Sequence, residues 1–179
     1  MMLDLHTTFR DPVPIASIEA LRYRGRQLVC VRAADGAEGV VMAHGRIEYL
    51  WPILQQLVAP YFIGKDARDL ETLVDGVYAY KSAYKLAGIA LWSPVAYVEL
   101  ALWDMLGKLA GKPVCELLGP VLRRDIPIYL SSMRRDTTPE EEVAWLQARL
   151  AETGANAVKL KIGGRMSANA DAMPHCTER

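Results

Sequence analysis

The sequence carries no net charge: 21 Lys and Arg balance 21 Asp and Glu over 179 residues. The basic footprint of a nucleic-acid-binding domain is therefore missing, and no nucleic-acid partner is expected. Cysteine is scarce. Cys30, Cys115 and Cys176 lie far apart, are odd in number and form no CxxC pair, so they read as free thiols of a reducing compartment. The three histidines, His6, His44 and His175, show no metal-site spacing. Long apolar runs are also lacking. The longest, Leu86 to Val98, is 13 residues, against the roughly 18 that suggest a membrane span. The first residues, Met1 to Pro14, have no apolar stretch after a basic start, so no secretory signal is read there. No repeat or low-complexity segment is present. At 51% hydrophobic residues the chain is no disordered polymer, and it is expected to be a soluble, cytoplasmic, globular protein without a membrane partner.

The first third reads as an antiparallel meander. Ile15–Tyr23 and Leu28–Val31 are strand-like and flank a turn at Arg22–Arg26. Asp35-Gly36 then marks a tight hairpin, followed by a strand over Glu38–Met42. Ile47, Leu50, Trp51, Leu54 and Leu57 recur at helical spacing, with Pro52 placed in the first turn. A second helix is predicted over Asp69–Tyr80. The third and longest is predicted to start at an N-cap Ser93 with Pro94 at N1, and to stop at Gly111 and Pro113. Residues 1–120 are thus expected to be one α+β domain, a three-stranded meander plus a helical bundle.

After Gly119-Pro120 the pattern changes. Ile126–Leu130 reads as a buried strand, and Thr138-Pro139-Glu140-Glu141 as a capping box opening a helix. Gly154 is its C-cap, and Ala157–Ile162 is a second strand. Strand, helix and strand with short joins make one βαβ unit with parallel strands. Parallel strands are normally covered on both faces, yet Asp125 to Arg179 is only 55 residues, against about 250 in a complete (β/α)₈ barrel. Residues 121–179 are therefore expected to be an incomplete barrel start, and the chain reads as truncated.

Lys159 and Lys161 in Val158-Lys159-Leu160-Lys161-Ile162-Gly163-Gly164 share one face of that second strand. Two ammonium groups in a covered cavity disfavour each other, and loss of water disfavours both. Such a site leaves one amine free to take a proton or attack a carbonyl. KxK is also a common pattern, and a solvated strand face with two ordinary lysines fits the spacing equally well. Gly163-Gly164 lacks the companions of a phosphate loop.

The run Val98-Glu99-Leu100-Ala101-Leu102-Trp103-Asp104-Met105-Leu106-Gly107-Lys108, continuing through Leu109-Ala110-Gly111-Lys112-Pro113-Val114 to Glu116-Leu117-Leu118-Gly119, resembles the end of the capping domain in one branch of the enolase superfamily, that of mandelate racemase and muconate lactonising enzyme. Val158-Lys159-Leu160-Lys161-Ile162-Gly163 is similar to that branch's second barrel strand. The resemblance implies Mg²⁺-assisted abstraction of the proton α to a carboxylate. The metal would stabilise the enediolate. Lys161 would be the general base, and Lys159 would hold the carboxylate and ease the deprotonation of Lys161. It implies specificity loops near Arg22–Gln27 and His44–Tyr49, with His44 and Arg46 as substrate contacts. Ser131 and Ser132, at the end of the first barrel strand, would face the same pocket. The family's three metal-binding acids sit on the third, fourth and fifth barrel strands, and are expected beyond Arg179. The isolated chain is therefore expected to be inactive. The enzyme it belongs to is expected to be a homo-oligomer acting on a small carboxylate, with dehydration of a sugar acid favoured over racemisation or cycloisomerisation. Two readings compete: a short product serving as a non-catalytic binding or assembly module through its open sheet edge, and a Schiff-base lysine enzyme on another barrel.

Overall fold

The computed structural model describes residues 4–134 and 137–160. The chain divides between Val121 and Leu122 into two compact units.

The first unit opens with a single turn, α1 (Leu5–Thr8), capped by the Asp4 carboxylate. Strands β1 (Ile15–Tyr23), β2 (Arg26–Ala33) and β3 (Glu38–Ala43) follow as an antiparallel sheet in the order β1-β2-β3. The predicted meander is present. Its first turn is tighter than the predicted polar stretch: Tyr23 pairs with Arg26, so only Arg24 and Gly25 lie between the strands. Both have positive φ, 48° and 75°, the twist a two-residue hairpin needs. Asp35-Gly36 sits in the wider second turn, where the Asp35 carboxylate accepts from the Ala37 N–H at 3.0 Å.

A 3₁₀ segment, Gly45–Leu50, leads into α2 (Trp51–Ile53), a widened turn at Leu54–Val58, and α3 (Ala59–Phe62). The widening has a cause. Pro60 has no N–H to return to the preceding turn, and the Ala59 N–H reaches back five residues to the Leu54 carbonyl. After a 3₁₀ turn at Ala67–Asp69 comes α4 (Leu70–Val77), shorter at both ends than the predicted 69–80. A third 3₁₀ stretch, Tyr80–Leu86, holds Lys81 and Ser82 at positive φ. Asp66 clasps the start of the unit. Its carboxylate accepts from the Val13 N–H at 3.1 Å and the Arg68 guanidinium at 2.7 and 2.9 Å. Arg68 in turn donates to the Phe9 and Arg10 carbonyls.

The long helix α5 (Ile89–Ala110) is capped at Gly88, five residues before the predicted Ser93 cap. Leu91 is fully buried, so core packing draws the first turn into the helix and places Pro94 inside it. Its 22 residues are long and apolar enough to cross a membrane by length and composition, which the reading of uninterrupted runs did not register. Half of that stretch is buried within the fold, and α5 is the core helix of the unit. Val95, Val98, Leu102, Met105 and Leu106 meet Val29 and Val31 of the sheet in one cluster. Gly39 of β3 lies so close to α5 that a Cβ there would overlap the Ala101 carbonyl oxygen and fall 2.5 Å from the Met105 nitrogen. Gly111, at φ 61°, ends the helix as predicted, and α6 (Val114–Leu118) follows.

In the second unit, β4 (Leu130–Ser131) and β5 (Val158–Lys159) pair in parallel around α7 (Pro139–Thr153). The capping box is complete: Thr138 Oγ1 accepts from the Glu141 N–H, and the Glu141 side chain accepts from the Thr138 N–H. Gly154 ends α7 in the left-handed conformation. The predicted strands are longer than those formed. Ile126 and Ile128 are exposed and lie outside β4, because among the described residues β4 has only β5 to pair with.

Candidate active site

Two groups of predicted site residues can be placed, one in each unit. In the second, Ser131 stands opposite Lys159 in the parallel register, and the Ser132 N–H donates to the Lys159 carbonyl at 2.9 Å. Register partners share a face, so Ser131 and Lys159 are neighbours at the C-terminal ends of the two strands. Ser132 is fully buried and its hydroxyl accepts from the Arg134 N–H at 3.3 Å. The Lys159 ammonium lies 5.8 Å from the Tyr129 ring centroid. The covered cavity expected around Lys159 is not formed by the described residues: Lys159 is exposed, as are Val158 and Leu160. Among the described residues, this pair of two-residue strands has one helix beside it and no third strand to close over it. Lys161 lies outside the described residues, as do Ile162, Gly163 and Gly164.

In the first unit, the structure brings His44 and Arg46 together. His44 caps the Gly45–Leu50 turn, its Nδ1 accepting from the Arg46 N–H at 3.1 Å. The neutral ring therefore carries its proton on Nε2, which is left as a donor. The His44 backbone N–H donates to the Tyr97 hydroxyl oxygen at 3.0 Å, so the Tyr97 O–H is itself available to donate. These residues line a cleft of about 340 Å³ together with Tyr49, Leu50, Ile89 and Ser93. An imidazole N–H, a guanidinium and three hydroxyls against an apolar wall suit a ligand rich in acceptor oxygens, such as a hydroxylated acid. Tyr49 ends the predicted His44–Tyr49 loop, whereas sequence reasoning missed Ser93, Tyr97 and Ile89. Ser93 read as a helix cap, and the exposure of Tyr49 (83%) and Ile89 (74%) has no counterpart in the hydropathy pattern.

The two predicted specificity loops are joined. Glu48 Oε1 accepts from both the Arg22 guanidinium and the Gln27 amide, tying the first hairpin to the Gly45–Leu50 turn. Among the described residues no group of three His, Cys, Asp or Glu side chains could hold a metal ion. Among the described residues no site fits the Mg²⁺ implied by the resemblance.

A three-stranded meander packed on one long buried helix, with a polar cleft at the helix's N-terminal end, defines an α+β domain of the capping type. The chain belongs to the mandelate racemase / muconate lactonizing enzyme family, whose N-terminal domain matches residues 2–119. Among curated relatives, a D-galactonate dehydratase family member of Paenibacillus sp. (strain JDR-2) is 36% identical over 112 residues, which is 63% of this chain and 26% of that protein. The D-mannonate dehydratase of Xanthomonas oryzae pv. oryzicola is 33% identical over 143 residues, 78% of this chain and 33% of the relative. The chain thus spans about a quarter to a third of the length of these relatives. A crystal structure of a candidate racemase from Roseobacter denitrificans superposes with a TM-score of 0.73 at 34% identity, covering 90% of this chain and 43% of that one. A mandelate racemase/muconate lactonizing protein from Paracoccus denitrificans PD1222, complexed with magnesium, gives 0.67 at 29% identity over 83% of this chain and 42% of that one. Both superpositions cover more of the chain than the family's N-terminal domain alone.

Proposed function

We propose that this chain supplies the capping domain, over residues 1–120, and the start of the barrel, over residues 121–179, of an acid-sugar dehydratase. In that enzyme Lys161, as a neutral amine, removes the proton α to a carboxylate. The electron pair of the broken C–H bond passes into the carboxylate as an enediolate, and Lys161 becomes an ammonium. Lys159 pairs with the carboxylate and Ser131 lies beside it, with Ser132 behind. The His44–Arg46 cleft selects the hydroxylated part of the substrate. The observation that carries the reading is the register of Ser131 against Lys159, which sets a lysine and a hydroxyl together at the C-terminal ends of parallel strands, the end where barrel enzymes do their chemistry. The relatives named as dehydratases of D-galactonate and D-mannonate supply the substrate class.

Since the described residues form no metal site, the 179-residue chain by itself is proposed to be inactive. The full enzyme is proposed to be a cytoplasmic, Mg²⁺-dependent homo-oligomer. The test is exchange of the α-proton of D-mannonate and D-galactonate in deuterated buffer with Mg²⁺, read by proton NMR. The isolated chain is expected to give none, and the protein at the mass its source cell makes is expected to exchange. Exchange by the isolated chain would overturn the first statement. Failure of a longer natural product would overturn the second.

One observation favours a second reading, an assembly module. Ile126, Ile128, Val158 and Leu160 are exposed around the short parallel pair, a surface another polypeptide could cover. An intact mass near 19.9 kDa from the source cell, with a bound partner, would turn the assignment that way.

A further inference from the structure

The sheet face turned away from α5 carries a charged donor with a poor partner. Arg26 opens β2, and Met42 of β3 stands opposite Leu28. Residues two apart on a strand share a face, so Arg26 and Met42 rise on the same side and meet on the diagonal. The Arg26 guanidinium donates through Nη1 to the Met42 Sδ at 3.1 Å. The other two arginines of these strands are better served. Arg22 pairs with Glu48, and Arg32 with Glu19 and Glu38. Arg26 has no carboxylate partner among the described residues. A thioether sulfur is a weak acceptor, so this guanidinium makes a bond well short of what a charged donor can make.

Met42 is also open to attack. It is 57% exposed, whereas Met105 in the core of the same unit is fully buried. Hydrogen peroxide converts a thioether to a sulfoxide. A sulfur lone pair takes one peroxide oxygen, the O–O bond breaks, and the departing hydroxide collects the proton of the transferred oxygen and leaves as water. Sulfur is oxidised by two electrons and the peroxide is reduced by two. Methionine oxidation ordinarily loosens a fold by setting a polar group among apolar ones. Here the sulfur lies outside the core, and a guanidinium already points at it. We infer that Met42 is a site of oxidation by peroxide whose sulfoxide oxygen is gripped by Arg26, so that oxidation fastens the start of β2 to the end of β3. Reduction to the thioether releases the grip. The inference goes beyond the proposed function, since it uses none of the lysine, serine or cleft residues named there and needs no turnover.

The test is treatment of the 179-residue chain with hydrogen peroxide, followed by mass mapping of its methionine peptides and by amide hydrogen exchange across β2 and β3. Met42 and Met133, which is 65% exposed, are expected to gain oxygen at comparable rates while Met105 resists. Exchange of the amides beside Arg26 and Met42 is expected to slow about threefold after oxidation, the size of effect an exposed charge-assisted bond gives. Met42→Leu, treated in the same way, is expected to show no slowing, which separates Met42 from the other methionines. Arg26→Ala is expected to oxidise at Met42 and to lose the slowing. Arg26→Lys, which keeps a charged donor, is expected to retain part of it. Three outcomes overturn the inference: Met42 left as a thioether while Met133 is oxidised, unchanged or faster exchange in the oxidised parent, or the same slowing in Arg26→Ala or Met42→Leu.

Discussion

The Asp104 carboxylate, on the long helix α5, accepts a hydrogen bond from the backbone N–H of Val40 in β3 at 2.8 Å. The same oxygen accepts from the Lys108 ammonium at 2.7 Å, and Lys108 also donates to the Glu38 carbonyl at 3.1 Å. One helical turn thus satisfies two polar groups of β3, which among the described residues has β2 alone as its partner strand.

Burial works to raise the Asp104 carboxyl, but Lys108 and the Val40 N–H outweigh it and hold the group below its ordinary value. A carboxylate held low in the folded state adds stability above its unfolded value, near pH 4, and that stability is lost as pH falls through the lower folded value. Asp104→Asn is expected to cost about 1 kcal/mol at pH 7, discounted for the partial exposure of the pair. The difference from the parent should shrink below about pH 4. Urea unfolding at several pH values reads both effects.

Gly39→Ala is expected to destabilise the first unit by about 3 kcal/mol. The added carbon meets backbone of α5 at Ala101 and Met105, and neither can step aside without moving the helix. Gly76→Ala makes the control. There the added carbon meets the Tyr61 hydroxyl, the far end of a side chain, and the helix gains about 1 kcal/mol of propensity. Its loss should therefore be small. Thermal melts of the two variants side by side check the contrast.

Thr138→Ala removes the hydroxyl half of the capping box on α7, the bond accepted from the Glu141 N–H, while the backbone N–H of residue 138 still donates to the Glu141 carboxylate; it is expected to cost about 1 kcal/mol. Hydrogen exchange should quicken in the first turn of α7 while the α5 amides keep their protection.

In the proposed dehydratase, Lys161→Ala is expected to lower kcat by about 10²–10⁴ with little change in KM. Lys159→Ala is expected to raise KM more than it lowers kcat. Steady-state kinetics with D-mannonate and D-galactonate separate these outcomes, and equal losses in both variants would contradict the division of roles.

What could be read in advance follows from how local the cause is. The two-residue turn at Arg24-Gly25, the capping box at Thr138 and the stops at Gly111 and Gly154 depend on backbone chemistry that neighbouring residues spell out, and each is found within a residue or two of its predicted place. The start of α5 is set instead by the burial of Leu91, a tertiary effect that overrides the Ser93-Pro94 signal. The widened turn at Leu54–Val58 follows from Pro60, which lies beyond the apolar positions that marked that helix. Among site residues, His44 and Arg46 could be named from the loop they share. Tyr97 is 53 positions further along the chain and could be joined to them only by the fold.

The Gly45–Leu50 turn is a party wall. On one side Ile47, Tyr49 and Leu50 bound the larger cleft; on the other Glu48 grips Arg22 and Gln27, which line a smaller cleft of about 240 Å³ with Trp51. A residue exchanged in these six positions remodels both chambers at once. The shapes of the two clefts are then expected to change together, with changes at the wall accompanied by changes in the first hairpin.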